Sequence, residues 1–178
     1  MIPRLFLLAA ALALTAGPAR AELRPGAAAP DFTIEAALAG RNFTFALAEA
    51  LKKGPVVLYF YPKSFTKVCT EEAHEFAEAT DEFASMNATV IGVSADTLAT
   101  QREFSSLECR DKFAVGADPD FKVIRAYDAA AGQTAYARRI SYVISPQGRI
   151  LSALADPGAT RHIQNALATV RDWRAKQQ

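Results

Sequence analysis

Apolar positions in this chain recur at distinct spacings, and the spacings divide it into elements. Two continuous apolar runs, VVLYFY at Val56–Tyr61 and ATVIGVS at Ala88–Ser94, have the pattern of strands buried on both faces of a sheet. Between them Val68, Ala73, Phe76, Ala79 and Phe83 repeat at helical spacing within Thr66–Met86, so strand, helix and strand predict a right-handed crossover. Upstream, short strands near Phe32 and at Phe43–Phe45 flank a turn at Ala39 and Gly40, and a short helix ends at Gly54. Downstream, Asp96 or Thr97 caps a helix through Leu98, Phe104 and Leu107, and Asp118 with Pro119 opens another through Val123 and Ile124. Ile140–Ser145 and Arg149–Leu154 read as a hairpin, and Ile163, Leu167, Val170 and Trp173 share one face of a closing helix.

Helices alternating with parallel strands, then an antiparallel hairpin and a helix, place the chain in the α/β class, as a thioredoxin-like fold with a central mixed sheet flanked by helices. Trp173 and the phenylalanines on these stripes read as core. No repeat, low-complexity tract or linker divides the sequence, and 178 residues with 51% hydrophobic and 22% charged fit one globular domain. A net charge of +1 offers no basic face to nucleic acid and no acidic tail.

The first 21 residues read differently: Arg4, an apolar run from Leu5 to Leu14 and small residues at Ala19 and Ala21 form a secretory signal with cleavage expected after Ala21. The run is shorter than the ~20 residues that span a bilayer, so no stable membrane insertion is expected. The domain is then residues 22–178, exported to the bacterial periplasm, an oxidising compartment in which the two cysteines could form one disulfide.

Cys69 is placed by the elements around it. It follows the carboxyl end of a central strand by a short loop and lies in the first turn of the next helix. In open α/β sheets ligands bind at that edge, and the unpaired N–H groups and positive dipole end of a helix start favour a thiolate. Ionisation alone makes a modest catalyst; a fast reaction also needs donors aimed at the substrate and at the charge forming on its leaving group.

Pro62, Thr66 and Cys69 form P-x-x-x-T-x-x-C, which resembles the active-site motif of the peroxiredoxins. The likeness extends through GAAAPDF, VIGVSAD, DPDFKVIRAYD and RISYVISPQGRI, in the expected order over nearly the whole mature chain. The resemblance implies a thiol-dependent peroxidase without metal, haem or flavin. Cys69 would attack a peroxide oxygen and become a sulfenic acid, Thr66 would hydrogen-bond the peroxide, and Pro62 would shield the thiolate from water. Arg139, rather than the adjacent Arg138, would stabilise the thiolate and the departing oxygen. Hydrogen peroxide or organic hydroperoxides would be the substrate, and a thioredoxin-like or other thiol protein the reductant. Read singly, the same residues are a buried inert cysteine, an N-cap threonine, a loop proline and a surface arginine.

Within the family, YFYPKSFTKVCTEE resembles the bacterioferritin-comigratory, or Q-type, branch, with departures. Ser64 and Phe65 replace an acidic pair, and Lys67 and Val68 replace Pro-Gly. Many Q-type members carry a resolving cysteine five positions after the first, where this chain has His74, read as an exposed helical histidine. Another subgroup places it on the following helix, where Cys109 falls. Cys109 could therefore resolve the sulfenic acid, bridge Cys69 permanently, or stay free. With no further cysteine near the carboxyl end, a monomer or weak dimer is expected. Competing readings on the same fold are a disulfide reductase, which wants C-x-x-C where Cys69 is followed by TEE, a copper chaperone, which wants two close cysteines, and a non-catalytic binding module.

Overall fold

A computed structural model describes residues 22–177; the expected leader, Met1–Ala21, lies outside the described residues. Seven strands form one sheet: β1 (Thr33–Leu38), β2 (Arg41–Ala46), β3 (Val56–Phe60), β4 (Thr89–Ser94), β5 (Ala114–Ala117), β6 (Ile140–Ile144) and β7 (Ile150–Ala155), in the order β2-β1-β5-β4-β3-β6-β7. The helices are α1 (Leu47–Leu51), α2 (Lys67–Ser85), α3 (Leu98–Leu107), α4 (Lys122–Ala126) and α5 (Thr160–Ala175). The mixed sheet with flanking helices is the thioredoxin-like arrangement that the apolar pattern predicts.

β3, β4 and β5 are parallel, whereas β6 runs antiparallel to β3, and β1 antiparallel to β5. All five β3 residues are fully buried, and their side chains alternate between faces as the pleat requires. Leu58 and Phe60 join a core cluster that contains residues of α1 and α4. Val57 and Tyr59 join another with Ala73, Phe76 and Phe83 of α2, Phe104 of α3 and Ile163 and Val170 of α5. Ala39 and Gly40 both take positive φ at the turn joining β1 to β2, and Thr97 caps α3, its hydroxyl accepting from Thr100 N–H at 3.2 Å.

Three details depart from the sequence reading. β5, a central strand, was absent from it, because four residues reading Ala-Val-Gly-Ala are too short and too small to show a period. Trp173 is only half-buried near the end of α5, so the closing helix buries its stripe at Ile163 and Val170 rather than at its aromatic residue. Cys109 lies just beyond α3 rather than on it: Glu108 and Cys109 N–H both reach back to the Phe104 carbonyl, and left-handed Arg110 and Asp111 turn the chain away. Among the described residues no helix is long and apolar enough to cross a membrane.

Candidate active site

Strand register places the reactive groups. β3 and β6 pair antiparallel with Phe60 opposite Ile140, so the start of β6 lies beside the end of β3, where the loop to α2 departs. Arg139 immediately precedes β6 and Cys69 is the third residue of α2. The register thereby joins residues 70 positions apart: Arg139 Nη2 donates to Cys69 Sγ at 3.1 Å. The first bond across the helix start runs from Thr70 N–H to the Thr66 carbonyl, so the Cys69 amide lies in the turn whose N–H groups no helical carbonyl reaches. Cys69 is 1% exposed, in the first turn of a helix and with a guanidinium on its sulfur.

The guanidinium is itself held. Arg139 Nη1 donates to Glu72 Oε2, and both side chains are buried, at 8% and 0% exposure. Glu72 stands one turn after Cys69 on the same face of α2. Burial pushes its carboxyl up to about 8, against the opposing pull of Arg139. Arg139 is in turn raised by Glu72 and Cys69, which outweigh its own desolvation. Arg138, the neighbour set aside on sequence, turns to Glu22 at 3.0 Å instead.

The loop before α2 is clamped through a buried polar network. Ser64 N–H donates to Asp96 Oδ2 at 2.7 Å, and Tyr61 Oη donates to Gln101 Oε1 at 2.7 Å. Gln101 Nε2 donates to Ser94 Oγ at 2.7 Å and to the Gly116 carbonyl at 3.1 Å. Phe65 takes a left-handed conformation, φ 64°, which costs a residue with a Cβ about 1 kcal/mol. Its half-exposed ring meets Phe104 of α3 edge-on at 5.2 Å.

Of the residues singled out on sequence, the structure unites Cys69 and Arg139 and places Pro62 and Thr66 in the loop between β3 and α2. Pro62 is half-buried; Thr66 is exposed, and its hydroxyl donates to the Lys63 carbonyl at 2.9 Å. It is therefore neither a buried donor nor a side-chain N-cap. Cys109 does not join them: both cysteines are free and buried, and they do not lie near each other. Burial, with Glu108 adding to it, pushes the Cys109 thiol well up. His74 is half-buried rather than exposed and meets Glu108 at 2.7 Å, tying α2 to the residue before Cys109. No group of three or more metal-ligating side chains occurs among the described residues.

Sequence reasoning missed Glu72 and His162. Glu72 sat in a polar run, TEEAHE, and only its position three residues after Cys69 signalled a shared helical face. His162 is fully buried; its Nδ1 meets Ser141 Oγ at 2.8 Å and its Nε2 the Asp156 carbonyl at 3.0 Å. Burial holds its imidazole below the usual value, so the neutral ring accepts from Ser141 and donates to Asp156, docking α5 behind Arg139.

Residues 25–153 match the AhpC/TSA family. The Bacillus subtilis protein YkuU is 34% identical over 138 residues, covering 73% of this chain and 77% of that one. Peroxiredoxin Bcp of the same organism is 29% identical over 127 residues, covering 68% and 80%. Among solved structures, peroxidoxin BcpB from Mycobacterium tuberculosis superposes with a TM-score of 0.78 at 27% identity, covering 84% of this chain and 97% of that one.

Proposed function

Because the chain belongs to the AhpC/TSA family of peroxiredoxins, we propose that Cys69 is its peroxidatic nucleophile, with Arg139, Thr66 and Pro62 completing the site. The observation that carries this reading is the Arg139 guanidinium on the Cys69 sulfur at the start of α2. The thiolate attacks one peroxide oxygen, the O–O bond breaks, and the departing hydroxide or alkoxide takes up a proton. Cys69 is left as a sulfenic acid. Arg139, already placed by Glu72, meets the charge that moves from sulfur to leaving oxygen without reorganising. Thr66 spends its hydrogen on Lys63, and its oxygen lone pairs accept from the peroxide O–H. Pro62 has no N–H to draw water to the loop and shields the sulfur.

The second half of the cycle is a disulfide with Cys109, released by a thioredoxin-like or other thiol reductant. Cys109 already lies outside a helix, so the unwinding that this reading calls for is placed around Cys69 at the start of α2. The enzyme acts in the periplasm after removal of Met1–Ala21, a reading supported by the leader pattern, and as a monomer or weak dimer, a reading supported by the lack of any cysteine after Cys109 in the sequence. Peroxide consumption coupled to a thioredoxin-type reductant tests the assignment. Wild type turns over and Cys69→Ser does not; full turnover in that variant would overturn it. Amino-terminal sequencing of periplasmic protein, expected to begin at Glu22, tests the export reading separately.

A further inference from the structure

Tyr59 carries an inference that rests on the two-cysteine reading and deepens it. Among the described residues two buried side-chain polar atoms have no hydrogen-bond partner, Tyr59 Oη and Glu72 Oε1. Tyr59 lies within β3, fully buried, in the same apolar cluster as Cys69 and Cys109. Its ring stacks on Phe76 of α2 at 4.4 Å and sits 5.5 Å from Tyr61 and 6.1 Å from Phe113. Gly92 on the adjacent β4 makes room for it: a Cβ there would come within 2.7 Å of Oη. Phenylalanine would keep the stacking without burying an unpaired hydroxyl, so the resting protein bears a cost for this donor. A donor kept in that way calls for an acceptor in another state of the molecule.

The ionisable groups that bear on Tyr59 are, in order, Cys109, Tyr61, Glu72 and Cys69. Tyr61 is engaged with Gln101 and Cys69 with Arg139, while Glu72 is fixed by Arg139 through Oε2 and its Oε1, like Tyr59 Oη, is unpaired in the resting protein. The Cys109 sulfur has no hydrogen bond among the described residues and no cation against it, and the charge beside it is that of Glu108. The geometry points to Tyr59 as a positioning residue of the second half-reaction, its hydroxyl donating to the Cys109 sulfur as that sulfur becomes a thiolate and attacks the Cys69 sulfenic acid. In that step the Cys109 proton and the sulfenic hydroxyl leave together as water, the S–O bond breaks and the S–S bond forms. Tyr59 keeps its own proton, as suits a phenol that burial holds well above its ordinary value.

The charged and titratable groups around this step are Glu108 beside Cys109, His74 of α2 on Glu108, Arg110 on Glu78, Lys112 on Asp81, Tyr61 just beyond β3, and Glu72 with Arg139 at Cys69. None of them supplies Cys109 with a donor. Tyr59→Phe tests the role by quenched-flow mass spectrometry of the purified protein after one equivalent of hydrogen peroxide, across pH 6 to 9. Cys69 sulfenic acid is expected to form at the wild-type rate and the melting temperature to hold or rise. Disulfide formation slows about tenfold, and its pH profile moves up by about one unit, as loss of one donor to a thiolate requires. Unchanged disulfide kinetics and pH profile, or a lowered melting temperature with no such shift, would overturn the role of Tyr59 and leave the two-cysteine reading standing. A wild type that never joins Cys69 to Cys109 would overturn both.

Discussion

Cys69 and Cys109 are buried alike, at 1% and 0% exposure, yet their surroundings favour opposite chemistry. Cys69 has a guanidinium at 3.1 Å and sits in the first turn of a long helix. Cys109 sits past the end of a helix, where the carbonyl end of the dipole points, and its neighbouring charge is a carboxylate. Burial alone therefore does not decide whether a cysteine is reactive. The sign of the charge that the fold fixes beside it does, and here strand register and helix direction supply that sign.

The largest effect that would break this contrast is loss of one thiol at a time. Cys69→Ser should abolish peroxide consumption, whereas Cys109→Ser should form the sulfenic acid at the wild-type rate and then overoxidise to the sulfinic acid. Wild-type turnover of Cys109→Ser with a thioredoxin-type reductant would replace the two-cysteine cycle with a one-cysteine cycle. Removing the charge comes next. Arg139→Met should slow sulfenic acid formation by about a hundredfold and destabilise the fold, because Glu72 loses its buried partner. In Arg139→Met/Glu72→Gln the stability should recover and the rate should not, which separates chemistry from packing. Thr66→Val should cost about tenfold in the same step.

Glu72 sharpens the comparison through pH. Its carboxyl is held at about 8 in the folded protein against 4.5 as its ordinary value. The unfolded chain therefore loses this proton first as pH rises. Stability linked to Glu72 is full below about 4.5, falls through the window between, and is lost above about 8, by up to about 1.4 kcal/mol per unit. Denaturant titrations of Glu72→Gln should lack that decline; an identical slope in both proteins would remove Glu72 as its source. The smallest effect belongs to His74→Ala, which unties α2 from Glu108 and should cost no more than about 1 kcal/mol, the two side chains being 35% and 23% exposed.

Long apolar strands, the hairpin and the helical stripes were legible because their periods are set by burial on one face or two. The meeting of Cys69 with Arg139 was not a matter of period. It depends on β3 pairing with β6, and only the resemblance of RISYVISPQGRI to a family motif pointed to it. Glu72 was hidden because a carboxylate in a polar run of a helix ordinarily faces water, and its burial follows from the arginine that comes in from another strand. The Ser64, Asp96 and Gln101 clamp joins segments that share no spacing, so no local pattern announces it. Cys109 was expected on a helix because its neighbours are helical, while the chain leaves α3 through two left-handed residues, neither a glycine.

Peptide mass spectrometry of the reduced protein, quenched after one equivalent of hydrogen peroxide, tests the central claim most directly. The account predicts that oxidation begins at Cys69, seen first as sulfenic acid and then as a Cys69–Cys109 disulfide, with no oxygen adduct on Cys109. Two thiols that remain reduced, or oxidation that starts at Cys109 while Cys69 stays reduced, would contradict it.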